Sequence, residues 1–389
     1  MQAFDTPDRN AVGLWHQVGP ESEHFDWEEF EKKRQTNVRR KRANRFDERM
    51  LLKSNTYYAV FDPRMPDLNY NCERVQDEIC RIGRRWLELG VDGFRLDAAK
   101  YFHKPPHYKS NLSWWKKFRQ QMSQINPLVY LIGEVWDSST RIAPYFRSLD
   151  SLFNFELAEM LVSCLLNEGN GSIMLQSYTR MINQYLKESD KTDVLDAIFL
   201  SNHDQNRIMS TLDHHLPKAK LAAALLWTLP GLPFIYYGEE IGMLGSTPYD
   251  KYRREPFLWS STNKQGQTTW LEPRYTKISN GCIPLDEQLN DPNSLVNHYK
   301  KLIHLRRQSD ILSFGTIKPI SSRIRSLCLF ERIYENQSIF VAHNLGSRKQ
   351  CITIPEDFNR ILFSTQNEEC SIPGNRQFNL DAYSSLILQ

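Results

Sequence analysis

Three short apolar runs of this chain each end in an acid, and the first also carries an arginine two positions before its aspartate: Gly93-Phe94-Arg95-Leu96-Asp97-Ala98-Ala99-Lys100. Side chains of a strand alternate between its faces, so Arg95 and Asp97 point the same way and the guanidinium keeps the carboxylate ionised near neutral pH. An ionised, positioned carboxylate is a nucleophile. Leu131-Ile132-Gly133-Glu134 closes a second apolar run in an acid, and Phe199-Leu200-Ser201-Asn202-His203-Asp204 closes a third. Any one of these acids, taken singly, reads equally well as a strand-end cap or half of an ion pair. Three of them at three strand ends make a constellation for nucleophilic and acid–base chemistry.

The elements that must position these acids alternate along the chain. Arg74 to Leu89 has apolar Val75, Ile79, Ile82, Trp86 and Leu89 at three- and four-residue steps and stops at Gly90, which predicts an amphipathic helix. The strand Val91 to Asp97 follows, then a helix over Trp114 to Ile125, a strand over Leu128 to Glu134 and a shorter strand over Ser151 to Glu156. Helices within 156–188, a strand Ala197 to Ser201, a helix Pro217 to Thr228 and a last strand Phe234 to Gly238 come next, and a helix Leu295 to Arg307 closes the series. Alternation of this kind predicts an α/β fold with a parallel sheet wrapped by helices. Beyond about residue 312 short alternating runs such as Ser326 to Phe330, Ser338 to Ala342 and Ser384 to Leu388 predict an antiparallel β domain.

Composition excludes several classes of function. A chain of 389 residues with 40% hydrophobic content and a net charge of +3 is a folded protein without the concentrated basic field that nucleic acid requires. It has no apolar stretch of about 18 residues and no basic-then-apolar leader at Met1-Gln2-Ala3-Phe4-Asp5, so neither a membrane span nor a secretion signal is expected. Seven cysteines without a CxxC pair suggest neither a disulfide framework nor a zinc site, and the expected location is cytoplasmic.

The acid-ending segments resemble, in order, the second, third and fourth signature regions of the α-amylase superfamily of retaining glycoside hydrolases, glycoside hydrolase family 13. Met65-Pro66-Asp67-Leu68-Asn69 resembles the signature at the end of that family's B domain, with the methionine closer to the bacterial α-amylase, neopullulanase and maltogenic amylase type. Gly238-Glu239-Glu240-Ile241-Gly242-Met243 resembles its eighth strand end. The resemblance implies a (β/α)8 TIM barrel followed by a C-terminal all-β domain. The pattern supplies about five of the eight strands, which reads as a barrel incomplete at its N-terminus. The expected division is a divergent charged segment 1–54 left from the B domain, a partial catalytic barrel 55–311 and an all-β domain 312–389.

By resemblance Asp97 is the nucleophile, Glu134 the acid/base and Asp204 the third acid, which binds sugar hydroxyls. Arg95, His203, Lys100 and Trp136 are expected to bind substrate. Lys100 matches a leaving-group lysine of many relatives, but Tyr101 replaces the histidine usual after it, and His103 is the alternative for that role. Tyr101, Phe102, Tyr236 and Tyr237 are further candidates for stacking on sugar. Calcium occurs in the family, but the first signature region that supplies its ligands is missing here, so no metal site or cofactor is expected. The implied function is hydrolysis of α-1,4-glucosidic bonds in starch or maltooligosaccharides, with an α-glucan as partner and neither nucleic acid nor membrane. The alternatives are an α-glucan transglycosylase, and a non-catalytic fragment that needs a partner chain.

Overall fold

The computed structural model describes residues 17–18, 56–62, 65–103, 108–248, 250–263, 265–366 and 371–389. The chain divides into two compact units, residues 1–134 and 135–389. Apart from Gln17–Val18, the charged segment 1–54 lies outside the described residues.

The first unit has β1 (Gln17–Val18) antiparallel to β2 (Thr56–Tyr57), then α1 (Glu73–Glu88), β3 (Gly93–Leu96), α2 (Tyr108–Ser123) and β4 (Tyr130–Gly133). Strands β3 and β4 run parallel with Leu96 opposite Gly133, which brings the next residues, Asp97 and Glu134, side by side. Only glycine fits at 93, because a Cβ there would collide with the Tyr130 carbonyl. Helix α1 forms where expected but buries another face. Val75, Gly83 and Leu87 are inside, while Ile82, Trp86 and Leu89 are exposed. The reason is Gly83: a Cβ at that position would stand 2.6 Å from the Met122 sulfur of α2, so the two helices meet across the one residue that has no side chain. The apolar periodicity of α1 registers hydrophobic residues and cannot register a glycine contact.

The second unit opens with the parallel strands β5 (Ser151–Phe153), β6 (Leu195–Phe199) and β7 (Leu232–Phe234), interleaved with α3 (Phe155–Leu166), α4 (Gly171–Ser189) and α5 (Leu216–Thr228). Local chemistry sets the boundaries. The Asn154 side chain accepts from Leu157 N–H at 2.8 Å and ends β5 by starting α3, so the strand is shorter than its apolar run. Strand β7 also lies earlier than the Phe234 to Gly238 expected: it includes Pro233, which a sequence reading excludes from strands, and it stands at the end of its strand order, where a missing N–H is tolerated. Helix α5 is buried on almost every side from Leu221 to Thr228.

Helix α6 (Leu295–Arg307) leads to the antiparallel part: β8 (Thr316–Ile320), β9 (Leu327–Tyr334), β10 (Gln337–Asn344), β11 (Gln350–Thr353), β12 (Ile361–Ser364), β13 (Gln377–Leu380) and β14 (Ser385–Leu388). Their order is β12-β14-β10-β9-β8, with β11 and β13 paired separately. Leu327, Phe340, Phe358, Phe378, Leu380 and Leu386 fill the core between them. Among the described residues no helix is long and apolar enough to cross a membrane.

Candidate functional site

The first unit gathers one guanidinium and two carboxyls. Arg95 Nη1 pairs with Asp97 Oδ1 and Nη2 with Glu134 Oε2. The parallel ladder runs on past both strands, with Glu134 N–H donating to Leu96 carbonyl at 2.9 Å and Ala99 N–H to Glu134 carbonyl at 2.8 Å, and this fixes the two acids in register. Their surroundings differ. The Asp97 side chain is 77% exposed and that of Glu134 only 12%. Burial pushes the Glu134 carboxyl above its ordinary value; the Arg95 charge pulls it down, the hydrogen bond and charge of Asp97 push it up, and the Ala98 backbone pulls it down. The geometry therefore yields an open carboxylate beside a sheltered acid that holds its proton more tightly.

The turn that presents Asp97 is held from below by α2. Trp115 Nε1 donates to Ala99 carbonyl at 2.8 Å, Asn111 Nδ2 to Lys100 carbonyl at 2.7 Å, and His103 N–H to Asn111 Oδ1 at 2.9 Å. Asn111 and Trp115 are buried positioning residues that the sequence did not single out, since an Asn on a helix carries no visible signal of its distant carbonyl partner. His103 is buried with Nδ1 against Asn71 Oδ1 at 3.2 Å, so it belongs to this support and is not available for the leaving-group role. Phe102 lies stacked on Tyr70 at 4.5 Å with Trp115 at 4.7 Å on its other contact, which is core packing and not a sugar platform. Lys100 Nζ sits 5.0 Å from the centre of the Tyr101 ring.

In the second unit the loop after β6 carries the other acid. Asp204 N–H donates to Asn202 Oδ1 at 2.9 Å, a turn that lifts the Asp204 side chain clear of the strand end. His203 Nε2 lies 3.2 Å from one Asp204 oxygen and Arg254 Nη2 2.8 Å from the other. Arg254 Nε also donates to His203 carbonyl at 3.3 Å, and the Arg253 guanidinium donates to Asp204 carbonyl. The arginines are anchored in turn. Arg207 donates from Nε to Arg253 carbonyl at 3.0 Å while its guanidinium lies 4.3 Å from the Tyr236 ring centre and 4.7 Å from that of Tyr237. The Tyr236 hydroxyl donates to Arg253 carbonyl at 3.0 Å and the Tyr237 hydroxyl to Glu255 carbonyl at 2.8 Å. Buried Glu255 accepts from the N–H groups of Arg274, Tyr275 and Thr276 at 2.6, 2.9 and 2.7 Å. Tyr236 and Tyr237 therefore brace this segment, and burial pushes the Tyr236 hydroxyl up to about 12. Sequence reading missed Arg207, Arg253 and Arg254. The run Arg253-Arg254-Glu255 was the available signal, a pair of cations whose partners lie some fifty positions upstream.

Trp136 is 42% exposed and stacks on Phe155 at 4.3 Å, which leaves part of an immobilised ring open to solvent. Among the described residues no group of three or more His, Cys, Asp or Glu could hold a metal ion.

Comparison with known proteins places these observations. Residues 15–315 match the model of the α-amylase catalytic domain, and residues 327–387 that of the C-terminal domain of α-amylase SusG. The chain is 44% identical over 292 residues to Alpha-amylase 3 of Dictyoglomus thermophilum, covering 75% of this chain and 57% of that protein. It is 30% identical over 296 residues to a 4-alpha-glucanotransferase of Thermotoga neapolitana, covering 75% of this chain and 63% of that one. The chain thus spans less than two thirds of either relative. The crystal structure of an α-amylase from H. orenii superposes with a TM-score of 0.82 at 33% identity, over 98% of this chain and 75% of that one.

Proposed function

Because the chain belongs to the α-amylase catalytic-domain family, we propose that it cleaves α-1,4-glucosidic bonds of starch or maltooligosaccharides with retention of configuration. Asp97 attacks the anomeric carbon, the bond to the leaving sugar oxygen breaks, and Glu134 gives that oxygen its proton. The Glu134 carboxylate then takes a proton from water, whose oxygen attacks the same carbon and frees Asp97. Two inversions give net retention. Asp204, His203 and Arg95 bind hydroxyls of the same sugar, and Lys100 and Trp136 contact neighbouring sugar units.

One observation carries this reading: Asp97 and Glu134 share a single guanidinium. Two carboxyls bonded to one guanidinium lie near each other, which favours the retaining arrangement, with carboxyls about 5–5.5 Å apart, over the inverting one at about 6.5–9.5 Å. The raised proton affinity of Glu134 and the open, paired Asp97 divide acid from nucleophile as the mechanism requires.

Transfer to a second sugar is the other reading, favoured by the similarity to the Thermotoga 4-alpha-glucanotransferase. The same intermediate serves both outcomes. Incubation with maltoheptaose separates them: net new reducing ends released as the α-anomer mean hydrolysis, longer oligomers mean transfer, and release of the β-anomer refutes retention.

A further inference from the structure

A groove of about 850 Å³ lies in the second unit where the end of α6 meets the antiparallel domain, a size within the range of ligand clefts, about 300–1,000 Å³. His304 and Gln308 line it from α6, Asp310 from the short helix Asp310–Phe314, Tyr334 from the end of β9 and Arg360 from just before β12. The apolar wall at Tyr334 continues into Phe314, which is 66% exposed and whose ring centre lies 6.0 Å from that of Tyr334. Among the described residues the side chains of His304, Gln308, Asp310, Gln337 and Arg360 make no hydrogen bond or ion pair with one another or with their neighbours. The Arg360 backbone is nevertheless fixed, since it exchanges two hydrogen bonds with Gln389 at 2.8 Å each. Asp310 and Glu335 offset Arg360 and Lys301, so the groove has no prevailing sign and offers an anion as much repulsion as attraction. An apolar helix laid in it would strand the polar groups. A neutral polyol satisfies both kinds of lining, with C–H faces against the rings and hydroxyls against the amides, imidazole, carboxylate and guanidinium.

The groove is separate from the acid of the same unit. Arg306, between His304 and Gln308, donates to the Gly231 carbonyl one residue before β7 begins, so this end of α6 stands at the N-terminal end of β7. Asp204 follows the C-terminal end of β6, which runs parallel to β7. We propose, on the α-glucan reading above, that the groove is a second, non-catalytic site for a short run of glucosyl units, which anchors the protein to polymeric α-glucan. Sugar held there lies at the opposite end of the strands from Asp204 and is not cut.

Calorimetric titration of the full chain with maltoheptaose tests this in an Asp97→Asn background, where the glucan survives. Two binding events per chain are expected; Phe314→Ala and Arg360→Ala each weaken one of them about tenfold, the scale of one lost contact, and leave the other unchanged. With Asp97 restored, both variants are expected to keep the initial rate on a blocked maltotrioside within about twofold of the parent while attacking granular starch about tenfold more slowly, since only the polymer reaches both sites. Binding that neither variant alters overturns the groove and leaves the glycosidase reading standing. A fall on the maltotrioside equal to that on starch assigns both residues to folding and overturns the groove as well. A single event weakened by Phe314→Ala, in a chain whose parent releases no sugar from starch, supports the groove and sinks the glycosidase reading. No binding of maltoheptaose overturns both.

Discussion

Arg95 and the pair Arg306 and Arg332 are all arginines with several hydrogen bonds, yet they face opposite kinds of partner. Arg95 meets two carboxylates at the mouth of the first unit. Arg306 and Arg332, in the second unit, are buried and bond to backbone carbonyls: Arg306 to Trp227, Leu229 and Gly231 at 2.9, 2.8 and 2.6 Å, Arg332 to Thr228 and Gly315 at 2.6 Å each. Four of those carbonyls lie at and beyond the C-terminus of α5, where unsatisfied C=O groups and the helix dipole favour a cation, and the fifth, Gly315, ends the short helix Asp310–Phe314. His343 of β10 adds a bond from Nε2 to Thr228 Oγ1 at 3.0 Å, and its burial pushes the imidazole down to about 3, so it is neutral there. Under the proposed function, a charge that meets counter-charges in the open serves the chemistry. Those saturated by carbonyls in the interior dock α6 and β9 against the end of α5.

That contrast can be broken at its ends. Arg95→Met is expected to lower kcat/KM by a factor on the order of a hundred to a thousand, because Asp97 and Glu134 lose their common anchor, while stability changes by less than about 0.5 kcal/mol. Arg95 lowers the Glu134 proton affinity, so the alkaline limb of the pH–rate profile should move to higher pH in the variant. A thermal melt together with initial rates on a blocked maltooligosaccharide checks both parts. Arg332→Met should do the converse, costing about 2–4 kcal/mol in urea unfolding through stranded carbonyls, with turnover per folded molecule unchanged. If Arg332→Met abolished turnover in protein shown to be folded, the division between the two arginine roles would be wrong.

Two acids sharpen the same comparison at smaller scale. Asp196 is fully buried beside Asn154 at 2.7 Å, and burial pushes its carboxyl up to about 7. The folded value lies above the unfolded one, so the folded state binds the proton more tightly; its contribution is full below about pH 4 and is lost as pH rises through 7. Asp196→Asn should flatten that decline in a series of melts between pH 4 and 8. Glu168 is the opposite case. The Tyr383 hydroxyl, and then Lys218 and the Ser347 N–H, hold its carboxyl down to about 2. Its contribution is present above the ordinary carboxylate value and is lost as pH falls toward 2. Glu168→Gln should shift the acid-unfolding midpoint to higher pH, the smallest of these effects.

How much of this was legible in the sequence depends on the range of the cause. Arg95 and Asp97 are two positions apart on one strand, and alternation alone puts them on one face. The strand-then-helix order and the change to alternating β texture near residue 312 were likewise local patterns. The buried face of α1 was misjudged because a glycine contact with α2 decided it. His103 looked like a free imidazole until Asn71 and Asn111, from two other segments, closed on it.

The amino-acid order by itself determined which acids end strands, which residue types accompany them and which family they resemble, because those are matters of period two, period 3.6 and short spacing. Tertiary structure alone decided that Glu134 is sheltered while Asp97 is open and that Arg254 grips Asp204. Burial and long-range hydrogen bonds are properties of segments brought together by folding, and their energies depend on solvent exclusion that no spacing along the chain encodes.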